Sequence, residues 1–202
     1  MSQQLYPPAI FLGIDPGSHG GLAAITQDQL LDLQSLKDMT LTDIWEWLTD
    51  RPKGYELNDV YAIIEQVQGY VGTEHLGTQM FTFGYSAGSL EAFLVAAGIT
   101  YSRFSPQAWQ SYLSLKKTDA ERGLKNGDTL WKNRLKLKAQ ALYPEYKITL
   151  DTADALLIAE FCKTYYGSSI RLKQKGKHAS SNQTTNNELQ MYMDSGGDNP
   201  LD

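Results

Sequence analysis

The sequence predicts a mixed α/β fold, a five-stranded sheet flanked by helices. Three observations predict it. Two apolar runs, 10–14 and 22–25, are joined by the turn Pro16-Gly-Ser-His-Gly-Gly21 and pair as a hairpin. A further run, Val60-Tyr-Ala-Ile-Ile64, has the composition of a strand buried on both faces. Beyond it, apolar residues at helical spacing alternate with one more short strand-like stretch, 99–104.

The elements follow in order. Residues 10–15, 21–26 and 29–36 form three strands linked by tight turns; Pro16 presets φ and Gly17 accepts positive φ. Thr40-Leu-Thr-Asp43 is a capping pattern for a helix to about residue 50, where Pro52 and Gly54 stop it. Residues 59–65 form the fourth strand, and 66–74 a loop around Gly69, Tyr70 and Gly72. A long helix spans about 76–98, with Met80, Phe83, Ala87, Leu90, Leu94 and Ala97 on its apolar face. Gly84 and Gly88 on that helix admit close approach of another backbone, within the chain or from a second subunit. After the strand at 99–104, Ser105 caps a helix with Pro106 at its first position. Residues 114–128 are polar and basic and read as a mobile loop; Asp128 then caps a helix to about 143. The last helix, 152 to about 166, starts at Asp151-Thr-Ala-Asp154 and is apolar enough to lie on the sheet. One domain therefore covers 1–167, and the Ser/Asn/Thr/Gln/Gly-rich residues 168–202 form a disordered polar tail.

Composition excludes several classes. With 202 residues, 42% hydrophobic and 11% aromatic, the chain matches a globular protein able to bury its own core. No apolar run reaches the length of a membrane span, and the N-terminus has neither the basic nor the apolar region of a signal peptide. Cys162 is the one cysteine, which rules out an intrachain disulfide and fits a cytoplasmic setting. His19, His75 and His178 are scattered and make no zinc set; His19 is a surface turn residue. The net charge is −5, yet it is unevenly placed. Residues 1–102 hold 3 Lys/Arg against 12 Asp/Glu, whereas 103–147 hold 10 against 4. Such asymmetry suits a local phosphate-binding surface, and equally a solvated helix face. Lys116 and Lys117 in the loop, and Lys132, Arg134, Lys136 and Lys138 on the following helix, are the candidates for DNA phosphates.

Two apolar strands end in an acid, Asp15 and Glu65. Each alone is ordinary, Asp15 as a turn-former and Glu65 as a strand-end charge. Asp151 and Asp154 likewise suit an N-cap and a first helical turn. Three antiparallel strands, a helix, a parallel strand and then alternating helix and strand form the order of a ribonuclease-H-like fold. That topology sets Asp15 and Glu65 at adjacent strand ends and brings Asp151 and Asp154 to the same edge. Four carboxylates gathered with no basic partner repel one another. Two Mg²⁺ ions about 4 Å apart resolve that repulsion and supply phosphodiester hydrolysis.

Gly13-Ile-Asp-Pro-Gly17, Ile64-Glu-Gln-Val67 and Asp151-Thr-Ala-Asp-Ala-Leu-Leu-Ile-Ala159 resemble the acidic motifs of RuvC-type Holliday junction resolvases. Glu65-Gln-Val-Gln68, Tyr70, Phe83-Gly84 and Gln107-Ala-Trp109 are similar to the plastid branch, the monokaryotic chloroplast 1 resolvases. The resemblance covers roughly residues 9–166. It implies a homodimer that binds a four-way DNA junction and makes symmetric paired nicks with Mg²⁺, or with Mn²⁺ in its place. It implies no nucleotide cofactor and no membrane partner, and a nucleoid-associated protein of the cytoplasm. Asp15, Glu65, Asp151 and Asp154 would be both the catalytic residues and the metal ligands. The bacterial family sets a junction-wedging aromatic soon after the Glu; the first aromatic here is Tyr70, which matches the plastid pattern better. Gln68 stands three after Glu65, and Gln110 stands where a basic residue is expected.

Three other functions share these features. An actin-like phosphotransferase also opens on strand, glycine-rich turn and strand, but needs two such domains and a second phosphate loop. A non-catalytic DNA-binding module has no reason to keep mutually repelling acids. A related nuclease acting on RNA or flaps differs only in surface shape.

Overall fold

The protein is described here by a computed structural model covering residues 9–50, 59–66 and 77–176. Its strands are β1 (Ile10–Asp15), β2 (Gly21–Ile25), β3 (Leu30–Ser35), β4 (Val60–Glu65) and β5 (Thr100–Phe104). The helices are α1 (Leu41–Asp50), α2 (Gly77–Ala96), α3 (Pro106–Tyr112), α4 (Asp119–Gly123), α5 (Gly127–Leu142) and α6 (Leu150–Gly176).

The five strands form one sheet in the order β3-β2-β1-β4-β5. β1 lies centrally, antiparallel to β2 and parallel to β4. The hairpin turns where the sequence predicts it: Gly17 has φ +117°, and a Cβ on Gly20 would stand 1.9 Å from the Asp15 carbonyl oxygen.

Strand alternation assigns a role to each face. Ile10, Leu12 and Ile14 of β1 join Val60, Ala62 and Ile64 of β4 in a core closed by Ile44, Trp47 and Leu48 of α1 and Leu90 and Leu94 of α2. The alternate residues of β1, Phe11, Gly13 and Asp15, belong to the opposite face. There Gly13 meets α6: a Cβ on it would fall 2.1 Å from the Ala155 carbonyl oxygen and 2.2 Å from the Ala159 nitrogen. Aromatic contacts extend the seat of α6, with Phe104 edge-on to Phe161 at 5.0 Å and Tyr61 stacked on Tyr166 at 4.8 Å. Cys162 is buried there as a core residue, and burial pushes its thiol well above the ordinary range.

Several local expectations need correction. The polar stretch 114–128 is not all loop. Thr118 and Glu121 form a complete capping box, which starts the short α4. Asp128 is not the cap of α5; the helix begins one residue earlier, after Asn126, and Asp128 pairs with Lys117. Asp151 is not a cap either but lies in the first turn of α6, where Thr149 and Thr152 hydrogen-bond to each other at 3.0 Å. α6 does not stop near Tyr166 but continues to Gly176, nine residues into the stretch read as a disordered tail. The rest of that stretch, 177–202, and the predicted stop at Pro52 and Gly54 lie outside the described residues. On α2, a Cβ added at Gly84 or Gly88 would meet nothing within 4 Å among the described residues, and Phe81 and Tyr85 are exposed. No helix among the described residues is long and apolar enough to cross a membrane.

Because the contacts at Gly13 are to backbone, Gly13→Ala should cost more than about 3 kcal/mol by forcing α6 off β1. Denaturant unfolding measures it; a loss below about 1 kcal/mol would mean that α6 can move away without disturbing the fold.

Candidate active site

The parallel pairing of β1 and β4 builds the site. Gly13 stands opposite Ile63 and Ile14 opposite Ile64, so the next residues, Asp15 and Glu65, end adjacent strands side by side. By alternation both belong to the face on which α6 lies. Asp154, on the second turn of α6, is buried with its side chain 6% exposed. The first turn of α6 comes down close to β2, where a Cβ on Gly21 would stand 2.6 Å from the Asp151 carbonyl oxygen. Asp151 is less buried than Asp15 and Asp154. Its side chain is 30% exposed, takes a 3.4 Å hydrogen bond from Ser35 and lies 3.8 Å from the Nδ1 of His19. His19 is an exposed turn residue as expected, but it stands at the rim of the acidic cluster.

The carboxylates feel one another strongly. Burial, and then the charges of Glu65, Asp154 and Asp151, push the Asp15 carboxyl well above its usual range, with Lys132 opposing them. Burial also pushes Glu65 up to about 7, opposed by a hydrogen bond from Trp109. A basic partner is present, contrary to the expectation from sequence. Lys132 of α5 places its ammonium on Oδ2 of Asp154. Burial pulls that ammonium down, but Asp154, Asp15 and Glu65 outweigh it and hold the lysine above its ordinary range. Lys132 thus lies against the acidic cluster, with its side chain 49% exposed.

Trp109 is the residue that sequence reasoning missed in this role. It is fully buried, and its indole N–H donates to Oε2 of Glu65 at 2.8 Å. The bond fixes the direction of a carboxylate that would otherwise be free to rotate. The signal was present in the Gln-Ala-Trp motif, placed just after the strand that pairs with the end of β4. What the sequence could not show was that the chain turns back at Ser105, whose side chain caps α3 through the Ala108 nitrogen.

The other basic candidates separate by function. Arg134 is held inside the chain: it pairs with Glu121 at 2.7 Å, donates to the Lys116 carbonyl and lies over the Trp131 ring at 4.6 Å. Lys117 pairs with Asp128 at the surface. Lys116 and Lys138 are exposed and Lys136 is half-exposed. Tyr70 lies outside the described residues.

The donors suit a hard cation. They are carboxylate oxygens, and Oδ1 of Asp154 is buried without a hydrogen-bond partner, an orphan that a metal ion would satisfy. Among the described residues, no three acidic, histidine or cysteine side chains already stand at coordination spacing.

No protein-family model matches the chain, and no curated protein matches it. Solved structures do. The Thermus thermophilus RuvC in complex with a Holliday junction substrate superposes with a TM-score of 0.55 at 16% identity, over 79% of this chain and 96% of that one. A second structure of Thermus thermophilus RuvC gives 0.51 at 16% identity, over 78% and 96%. The fold is therefore the ribonuclease-H-like mixed sheet flanked by helices that the element order predicts.

The raised carboxyl of Glu65 has a consequence for stability. Between its unfolded value near 4.5 and its folded value of about 7, the folded chain holds a proton that the unfolded chain has released. In the absence of divalent ions, the Glu65 contribution to stability should be full below about pH 4.5 and fall by on the order of 3 kcal/mol as pH rises through 7. Urea unfolding across this range, compared with Glu65→Gln, isolates the effect; identical profiles for the two proteins would contradict it.

Proposed function

We propose that this chain is a structure-specific DNA endonuclease that resolves four-way junctions by symmetric paired nicks, through divalent-metal phosphodiester hydrolysis. The observation that carries the proposal is the convergence of Asp15, Glu65 and Asp154 at one buried edge, with an oxygen of Asp154 left unpartnered. The likeness in fold to a RuvC solved on a Holliday junction supports the choice of substrate. Asp15, Glu65 and Asp154 would hold the metal, two Mg²⁺ ions by preference or Mn²⁺ in their place, with Asp151 completing the set from the rim. Bound there, the metal supplies an activated water and charge stabilisation for the leaving oxygen.

The chain's own residues do the rest. Trp109 fixes the Glu65 carboxylate in direction. Asp15 at the end of β1 and Asp154 on α6 are both buried, so the ligand oxygens they would offer are fixed in place. Lys116, Lys117, Lys136 and Lys138 are the phosphate contacts of the proposal, and Tyr70 its junction wedge. Two symmetric nicks require two sites, so the active species is a homodimer.

Cleavage of a labelled four-way junction, a flap and a plain duplex with Mg²⁺ tests the reading directly. Wild type should nick the junction alone, in symmetric pairs, and Asp15→Asn should lower the rate by at least about a thousandfold while still binding the junction. Cutting of the flap or of RNA in preference would change the substrate. Tight junction binding with no cutting would leave a binding module.

Junction affinity should also fall steeply with salt. Replacing both Lys136 and Lys138 by Ala should flatten the slope of log K against log salt by about 2. An unchanged slope would remove α5 from the DNA surface.

A further inference from the structure

We propose that Lys132 is an exchangeable counter-cation: its ammonium rests on Asp154 until a divalent ion binds the carboxylates, then leaves to meet a phosphate oxygen of the nucleic acid. The inference rests on the metal-dependent nuclease reading and adds a moving part to it.

The two ends of the contact differ in freedom. Asp154 is fixed, its side chain 6% exposed on a helix seated on the sheet. Lys132 is free to move, its side chain 49% exposed, and among the described residues its ammonium makes a hydrogen bond to Asp154 alone. The lysine therefore enters from solvent and can withdraw the same way along its four-carbon stem. Arg134, two residues on, has no such freedom because Glu121, the Lys116 carbonyl and the Trp131 ring all hold it.

Charge supplies the reason for the exchange. One ammonium cannot neutralise three carboxylates, and it stands on Asp154. One oxygen of Asp154 is occupied by Lys132 and the other has no partner. A divalent ion at that carboxylate would repel an ammonium on the same group. The ammonium released would stand at the mouth of the site, where the only abundant anion in the proposed complex is phosphate.

Ca²⁺ alone, without DNA, is the probe, and the full chain is used throughout. Calorimetric titration should show Lys132→Met binding Ca²⁺ on the order of tenfold more tightly than wild type, because no resident cation has to be displaced. Asp154→Asn should bind more weakly than either. A second measurement needs no variant: pulse acylation of wild-type amines, read by peptide mass spectrometry, with Lys136 and Lys138 as internal references. Saturating Ca²⁺ should raise labelling at Lys132 several-fold and leave the references unchanged. If wild type binds Ca²⁺ but Lys132 labels no faster, the exchange is wrong and the metal site stands. Equal or weaker Ca²⁺ affinity in a folded Lys132→Met would overturn the exchange in the same way. If wild type binds no divalent ion at all, both the exchange and the metal-dependent reading fall.

Discussion

The structure depends on one electrostatic constraint: carboxylates buried at the ends of two parallel strands must be met by positive charge. Asp15 and Glu65 are set side by side by the register of β1 against β4, and neither can move without breaking the ladder. α6 adds Asp154 from above. Leaving such a group uncompensated in the interior costs several kcal/mol for each charge. The chain meets the demand partly by raising the proton affinity of Asp15 and Glu65, and partly by bringing in Lys132.

Packing makes the constraint unavoidable. Gly13 removes the side chain that would keep α6 away, so the helix settles onto backbone two residues from Asp15. Gly21 does the same where the first turn of α6 approaches β2. The aromatic contacts of Phe104, Phe161, Tyr61 and Tyr166 hold the next turns of the helix in place. The acids converge because small residues sit where the helix crosses the sheet and large ones where it runs on.

The basic segment divides its work. Arg134 ties α5 to α4 through Glu121, Lys132 serves the acidic cluster, and Lys116, Lys136 and Lys138 face solvent in varying degree. Basic residues that look alike in one dimension thus have three different surroundings. α5 turns about 100° per residue, so positions two apart lie on opposed sides of the helix. A charge count over 103–147 detects the segment but cannot sort its members.

The sequence by itself determined the sheet, the hairpin and the acids. Apolar runs, turn residues and helical spacing are local signals, and they place β1 to β5, α1, α2 and α3 close to where they lie. Asp15, Glu65, Asp151 and Asp154 are legible because a charge at the end of an apolar strand or helix run stands out against its neighbours. Only the tertiary structure decided which acid is buried and which lies at the rim, which lysine meets them, and that Trp109 fixes Glu65. The contacts of Lys132 and Trp109 join residues 22 and 44 apart in the chain, and they depend on helix rotation and on where each segment turns back. The pattern along a chain records what each residue prefers to be near; the packing of α3, α5 and α6 selects the partner it meets.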